Sequence, residues 1–121
     1  MKKGLLIIGH GSRSNEAKKG FSDMIDIVKG KTDEYIVKGA FMEISEPFIP
    51  EVVEEMVNED IKDIIVVPYF LYEGIHIKED IPHIIGDLDK KYEEVNFKIS
   101  KPLGVEPVLG DILLERAESI N

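Results

Sequence analysis

Four short apolar runs, each followed by a segment with helical periodicity, constrain the fold of this 121-residue chain more than any other feature. We predict strands at residues 3–9, 34–42, 62–67 and 95–100, and helices at residues 14–29, 46–58, 76–92 and 106–119. Strands that alternate with helices favour a parallel sheet with helices on both faces. Right-handed crossovers then leave only a few flavodoxin-like strand orders. We therefore expect an α/β fold with a four-stranded parallel sheet, in one domain spanning residues 1–121.

Turn and capping residues mark the expected ends of these helices. Gly30 is expected to end the first helix. Ser45 is a candidate N-cap of the second helix, with Pro47 in its first turn. Gly74 is expected to permit an unusual backbone turn before the third helix, whose first turn contains Pro82.

The composition narrows the class of protein. Hydrophobic residues make up 43% and charged residues 32% of the chain, as expected of a globular protein. No apolar run approaches the roughly 20 residues of a membrane span, and no small-residue cleavage site follows the apolar N-terminal run, so we expect a cytoplasmic location. The formal net charge of −9 argues against nucleic acid and anionic membranes as partners.

The motifs that the chain lacks exclude further chemistry. It contains no cysteine, so any protein metal site must use histidine, aspartate or glutamate. The Gly-x-Ser-x-Gly elbow of α/β-hydrolases and the glycine-rich nucleotide-binding motifs are also missing, so we expect neither ATP nor another nucleotide as a cofactor. A polyanionic small molecule remains compatible with the acidic chain, because helix N-termini bind carboxylates and phosphates locally.

Residues 9–13, at the end of the first strand, have the sequence Gly-His-Gly-Ser-Arg. Glycines on both sides of His10 permit a sharp turn and the close approach of a ligand, which is typical of a functional loop. An incidental histidine in a capped turn is the alternative. Ser12 or Ser14 is expected to cap the first helix. Arg13 is a candidate for holding a ligand carboxylate, with a surface ion pair as its alternative.

Two further polar residues are expected at the same edge of the sheet. Glu43 follows the second strand, and His76 follows the third at the start of a helix. Ligands of open parallel sheets bind at the carboxyl ends of strands, and histidine is the commonest metal ligand. The positive end of a helix disfavours a protonated imidazole at His76. Glu43 is a candidate base or metal ligand, or else a loop glutamate near a helix N-terminus. For His76 a surface role is the alternative, and for His83 a structural or surface role is favoured.

The loop before His76 is rich in aromatic residues: Tyr69, Phe70 and Tyr72. They are either core residues or an apolar wall for a flat ring. We expect residues of the two loops to bind the substrate. These residues are Ser12, Arg13, Tyr69, Phe70, Leu71, Tyr72, Gly74 and Ile75.

The ordered set of motifs resembles the short CbiX-type sirohydrochlorin chelatases over residues 3–116. The matching segments are residues 9–13, Phe41-Met42-Glu43 with Pro47, residues 67–71, Gly74-Ile75-His76 and Asp80-Ile81-Pro82. The resemblance implies a class II chelatase lobe about half the length of two-lobed chelatases, working as a homodimer with the cleft between subunits. It also implies insertion of Co²⁺ into sirohydrochlorin for cobalamin, or of Ni²⁺ on the route to coenzyme F430 in methanogenesis.

By this resemblance, His10 and His76 are the metal-binding residues, and His10, Glu43 and His76 are the catalytic ones. Two neutral imidazoles would hold the divalent ion, and Glu43 or a histidine freed of metal would accept the pyrrole protons. Two other classes of function are also compatible with these residues. A histidine phosphatase also places a histidine after its first strand, but usually with arginine immediately before it, where this chain has Gly9. A non-catalytic metal or tetrapyrrole carrier would share every site residue and differ in turnover.

Overall fold

The computed structural model describes residues 3–72 and 74–121, and describes His76 by its backbone only. Strands and helices alternate along the whole described chain. Their bounds are β1 Lys3–Gly9, α1 Asn15–Lys31, β2 Tyr35–Phe41, α2 Ile49–Asn58, β3 Asp63–Pro68, α3 Ile75–Lys91, β4 Asn96–Ile99 and α4 Pro107–Glu118.

The four strands form one sheet in the order β2-β1-β3-β4, and every pairing is parallel. This confirms the predicted α/β class and flavodoxin-like order. The register aligns the strand ends: Gly9 of β1 pairs with Phe41 of β2, and Ile8 pairs with Pro68 of β3. The segments that follow these three strands therefore leave the sheet side by side.

Helices cover both faces of the sheet. On one face α2 and α3 pack over a core that contains fifteen buried residues of the described chain, among them Leu6, Ile8, Val53, Ile64 and Ile81. On the other face α1 packs over a smaller cluster of Ile7, Ile25 and Val37, with half-buried residues around it. The alternation of Leu6, Ile7 and Ile8 between the two faces follows from the two-residue period of a strand.

The predicted strands lie within one residue of the observed ones at each end, and β1 has the predicted bounds. The prediction that Gly30 ends α1 is wrong, because α1 continues to Lys31 and Thr32 is its C-cap. A hydrogen bond of 3.1 Å from the Glu34 backbone N–H to Thr32 Oγ1 follows this end. A hydrogen-bonding side chain, rather than a glycine, therefore lies at the helix end.

The start of α2 also differs from its prediction. The helix begins at Ile49, after an N-cap at Phe48 that has no side-chain hydrogen bond, so Ser45 is not its N-cap and Pro47 precedes it. The proline within its first turn is Pro50. Both Ser45 and Pro47 bond elsewhere: the Pro47 carbonyl accepts from the Phe41 backbone N–H at 2.8 Å.

Gly74 and Pro82 also differ from their predictions, Gly74 in its backbone conformation and Pro82 in its place within the helix. Gly74 is the N-cap of α3 with an ordinary extended backbone (φ −73°), so the prediction of an unusual turn is wrong. Because α3 begins at Ile75, Pro82 falls inside the helix and not in its first turn. Its nitrogen has no hydrogen to donate to the carbonyl one turn earlier. No helix in residues 3–72 or 74–121 is long and apolar enough to cross a membrane.

Candidate active site

The candidate site lies at the carboxyl edge of the sheet, where the segments after β2, β1 and β3 meet. Two backbone hydrogen bonds extend the pairing of β1 and β2 beyond the strands. The Met42 N–H donates to the Gly9 carbonyl at 2.9 Å, and the Glu43 N–H donates to the His10 carbonyl at 3.2 Å. On the other side, the Tyr69 N–H donates to the Ile8 carbonyl at 2.8 Å. His10 is thereby placed between the Glu43 segment and the loop that leads to His76.

Gly11 allows the two loops to meet. Its φ is +119°, a conformation that other residues rarely adopt. A Cβ atom at this position would overlap the Glu43 carbonyl oxygen. The sequence predicts that the glycines beside His10 make room for a ligand, whereas in the structure Gly11 makes room for the backbone of Glu43. This contact holds His10 and Glu43 close together.

A serine pair joins the same two loops a second time. The Ser12 N–H donates to Ser45 Oγ at 3.1 Å, and Ser45 is buried. The Ser45 N–H donates to the Glu43 carbonyl at 2.8 Å, across Ile44 at φ +72°. A non-glycine residue in this region carries backbone strain, which the surrounding hydrogen bonds must offset. This role of Ser45 was not predicted, because a serine two residues before a proline resembles a helix cap.

His10 and Glu43 form a pair in this setting. His10 Nε2 lies 3.5 Å from Glu43 Oε2, and the two side chains are 47% and 59% exposed. The pair becomes an ion pair when the imidazole is protonated. The exposure of both side chains leaves them accessible from the edge of the sheet. A neutral imidazole beside a carboxylate provides a nitrogen and oxygen ligand set for a divalent ion, and also a place to deposit a proton.

The sequence also assigns His76 to this edge. His76 is the second residue of α3, in agreement with its predicted position at the start of a helix. Its side chain lies outside the described residues. Within the part of the chain that the structure describes, no group of three or more histidine, aspartate or glutamate residues could hold a metal ion. The third histidine, His83, is exposed on α3, with Nε2 3.8 Å from Asp87 Oδ2.

The start of α1 lies beside the pair. Ser14 is its N-cap and accepts a hydrogen bond from the Ala17 N–H at 3.2 Å, so of the two serines proposed as caps it is Ser14 that fills the role. Ser12 supports it, because Ser12 Oγ accepts from the Ser14 N–H at 3.0 Å. Arg13 is exposed between them, next to the positive end of a helix.

The aromatic loop divides into core and surface residues. Phe70 is buried within the α2–α3 core, which fits the first of the two roles that the sequence left open. Tyr69 is 37% exposed, and its ring stacks on that of Phe21, with centroids 6.2 Å apart. Leu71 and Tyr72 are exposed, as are Gly74 and Ile75. The contribution of Phe21 to this edge was not predicted, because helical periodicity assigns it only to the apolar face of α1.

The geometry defines an open parallel α/β protein with a histidine–glutamate pair at the carboxyl edge of its sheet, and residues 4–120 match the CbiX protein family. The chain is 35% identical to a sirohydrochlorin cobaltochelatase of Methanococcoides burtonii, over 98% of this chain and 97% of that one. It is 33% identical to the chloroplastic sirohydrochlorin ferrochelatase of Arabidopsis thaliana, over 95% of this chain, and spans about half (51%) of that longer protein.

Among solved structures, the chain resembles the sirohydrochlorin chelatase SirB from Bacillus subtilis subspecies spizizenii, determined in complex with cobalt. The TM-score is 0.92 at 28% identity, and the match covers 99% of this chain and 51% of SirB. The chain belongs to the CbiX family.

Proposed function

We propose that this protein inserts a divalent metal ion, Co²⁺ or Ni²⁺, into sirohydrochlorin, with His10, Glu43 and His76 as its catalytic residues. The observation that carries the proposal is the pairing of His10 Nε2 with Glu43 Oε2 at 3.5 Å, held by two backbone hydrogen bonds and by Gly11. Family membership supports it, since the archaeal relative is a cobaltochelatase and the plant relative a ferrochelatase.

Metal insertion requires an exchange of two protons for one divalent ion. The ion enters the ring as M²⁺, two pyrrole nitrogens release H⁺, and the product carries the metal in place of both protons. His10 and His76 hold the ion as neutral ligands, so that ring nitrogens can take the remaining coordination positions. The ion is a substrate of the reaction, and each histidine becomes free when the ion leaves it.

Glu43 takes part in the removal of protons. Its carboxylate lies next to the imidazole that holds the metal, so a proton that reaches either group is stabilised by the other. A histidine that has released its metal is a second acceptor. Exposure of the pair lets the protons pass on to water.

The substrate carries eight carboxylates, and the start of α1 is suited to hold some of them. Arg13 is exposed there and presents a planar fork that matches a carboxylate. The backbone N–H groups and the helix dipole add positive potential in an otherwise acidic chain. Tyr69 and Tyr72, which are exposed beside this edge, would contact the flat face of the ring.

Ligand chemistry and the known relatives together narrow the choice of metal ion. Imidazole and carboxylate ligands suit Co²⁺, Ni²⁺ and Fe²⁺, and affinity rises along the series in the order Fe²⁺, Co²⁺, Ni²⁺. We propose cobalt or nickel ahead of iron, with cobalt supported by the archaeal relatives that are cobaltochelatases. We also propose that the protein works as a homodimer, because it spans half of SirB.

Anaerobic absorbance spectroscopy tests the proposed function directly. Sirohydrochlorin is mixed with Co²⁺, Ni²⁺ or Fe²⁺, with no protein, with catalytic amounts of protein, and with the variants His10→Ala, His76→Ala and Glu43→Gln. We expect multiple turnovers above the uncatalysed rate, loss of nearly all of this enhancement in each histidine variant, and a smaller loss in Glu43→Gln. His83→Ala is the matched control, because His83 is exposed on α3 and has no part in the proposal.

The same experiment distinguishes a chelatase from the two alternative classes, a non-catalytic carrier and a histidine phosphatase. Tight binding of metal or ring without turnover would identify a carrier. An absence of any spectral effect, together with hydrolysis of a phosphomonoester that depends on His10, would identify a phosphatase. Full activity of the double variant His10→Ala/His76→Ala would refute the proposed site.

A further inference from the structure

Ile44 has a backbone conformation that suits isoleucine poorly. Among the described residues other than glycine, Ile44 and Asp60 are the two with a positive φ, of 72° and 64°. Aspartate adopts this region with some ease, whereas a β-branched residue there is a clear outlier. The Ser45 N–H donates to the Glu43 carbonyl at 2.8 Å, so Ile44 is the central residue of a tight three-residue turn. The turn therefore carries strain that glycine at the same position would not.

Packing within the subunit does not account for the isoleucine. Its side chain is 48% exposed, and it belongs to neither of the two apolar clusters of the described chain. A single exposed apolar side chain is ordinary on a protein surface, but its partial burial offsets little of the strain. Neither backbone preference nor core burial thus favours isoleucine here, and glycine or asparagine would fit the turn better.

The turn places Ile44 beside the histidine–glutamate pair. Ile44 follows Glu43 directly in the chain. A Cβ atom at Gly11, the residue after His10, would lie 3.3 Å from the Cβ of Ile44. On its other side the turn is anchored by Ser45, which is buried and accepts a hydrogen bond from the facing loop. An apolar side chain is thereby held next to the two groups that are proposed to handle the metal ion and the protons.

A flat macrocycle is the ligand that this arrangement suits. A tetrapyrrole such as sirohydrochlorin carries its carboxylates at the rim, and the faces of its ring are apolar. A metal ion must enter through one of these faces, because the pyrrole nitrogens lie at the centre of the ring. An apolar side chain beside His10 and Glu43 would therefore meet the ring face and not its charged rim. Apolar lining beside a few convergent polar groups is typical of small-molecule sites.

We infer that Ile44 is a substrate-binding residue, whose side chain the strained turn holds against the face of the ring. The inference rests on the proposed function and adds to it a residue that positions the ring over His10 and Glu43. It also gives the strain a reason, since strained residues persist at ligand sites where the surrounding structure holds a side chain in a useful position.

The variant Ile44→Gly tests the inference, because it removes the side chain and the strain together. We expect a protein at least as stable as the wild type, with an equal or higher urea midpoint. We also expect it to bind metal-free sirohydrochlorin about tenfold more weakly, which corresponds to the loss of an aliphatic contact of this size. Absorbance titration without any metal ion measures the dissociation constant. Weaker binding by a variant that is no less stable is not explained by damage to the fold.

Two further substitutions separate the side chain from the strain. Ile44→Asn tolerates the positive φ but replaces the apolar group with an amide, so it should bind the ring about as weakly as Ile44→Gly. Ile44→Val keeps a β-branched apolar side chain and should bind within about fourfold of the wild type, the effect of one methylene group. Wild-type affinity in Ile44→Asn would overturn the inference, because the order of the turn, and not an apolar contact, would then hold the ring.

Asp60→Gly is the matched control. Asp60 has a similar φ but precedes β3, at the opposite edge of the sheet from the candidate site. Its replacement by glycine removes the same kind of backbone strain and should leave the affinity for the ring unchanged. An equal loss of ring affinity in Asp60→Gly would overturn the inference, because binding would then depend on positive-φ residues wherever they lie.

Titration with Co²⁺ alone, without the ring, is a second control. Ile44→Gly retains His10 and Glu43, so its affinity for the metal ion should match that of the wild type. A tenfold loss of Co²⁺ affinity would show that the turn positions the pair, and would overturn the assignment of Ile44 to the ring. Unchanged ring affinity in Ile44→Gly, with a lower sedimenting mass than the wild type, would place Ile44 in a contact between subunits and also overturn it.

These outcomes distinguish the inference from the proposed function. A wild type that inserts metal, together with an Ile44→Gly variant of equal ring affinity, would refute the role of Ile44 alone. A wild type with no affinity for sirohydrochlorin and no effect on its metallation would refute both.

Discussion

The two faces of the sheet are closed to different degrees. Among the described residues, fifteen buried side chains form the core between the sheet and the pair α2–α3, against three between the sheet and α1. Neighbouring residues of one strand show the contrast, because Leu6 belongs to the first core and Ile7 lines the open groove. The first face holds most of the buried apolar side chains of the subunit, whereas the second leaves part of the sheet uncovered.

The largest expected effect comes from breaking the closed face. Leu6→Ala removes a side chain with no exposure from the α2–α3 core, and a close-packed core collapses only partly into the cavity that is left. We expect the free energy of unfolding to fall by about 2–5 kcal/mol. Ile7→Ala, on the open face, should cost less, about 2 kcal/mol, because Ile7 borders the groove and packs against side chains that are themselves only partly buried. Urea titration of both variants, at a concentration where each is monomeric, measures the difference, and equal losses would contradict the contrast.

A smaller loss in the free energy of unfolding is expected from Gly11→Ala. This variant tests the carboxyl edge of the sheet, which both faces share. The new Cβ would overlap the Glu43 carbonyl, and the φ of +119° is unfavourable for alanine. We expect the free energy of unfolding to fall by about 1–3 kcal/mol. We also expect the rate of metal insertion to fall, because His10 and Glu43 move apart. The matched control is Gly20→Ala in α1, where a Cβ meets no atom within 4 Å and stability should rise by about 0.5–1 kcal/mol. A Gly11→Ala variant as stable and active as the wild type would show that the edge relaxes freely.

Ser45→Ala is expected to have a more modest effect. It removes the acceptor of the Ser12 N–H, in a buried position between the two loops. The cost is about 1 kcal/mol, because one hydrogen bond is lost and its donor is left without a partner. Ser22→Ala, on the exposed side of α1, is the control and should change stability little. Thermal melts of the two variants compare them, and a Ser45→Ala variant that matches the control would reduce the serine pair to an incidental contact.

The smallest effect is expected on the outer side of α1, away from both faces. The hydrogen bond from Lys19 Nζ to Asp23, and secondly the charge of Asp23, raise the pKa of Lys19. A raised pKa in the folded state stabilises the fold below the ordinary lysine pKa, and this contribution is lost as pH rises through the folded-state value. Both side chains are exposed, so Asp23→Asn should leave the urea midpoint at neutral pH unchanged within error. A clear loss that disappears in high salt would show that this pair matters more than exposure suggests.

Much of the fold follows from local pattern alone. The strand bounds, the parallel sheet and the position of His10 after β1 depend on periods of two and 3.6 residues and on the handedness of crossovers, which are properties of short segments. The helix starts were less predictable. Ser45 resembles a cap in sequence but bonds to a different loop, because a hydroxyl can accept from any N–H that the fold brings near it.

The sequence by itself determined the α/β class and the arrival of His10 and Glu43 at one edge of the sheet, because a parallel sheet brings its strand ends together whatever the loops contain. Tertiary structure alone decided that Gly11 lies against the Glu43 backbone, that the two side chains come within 3.5 Å, and that α4 stays exposed. These features depend on the register between strands and on the space left by other helices, which no local pattern encodes.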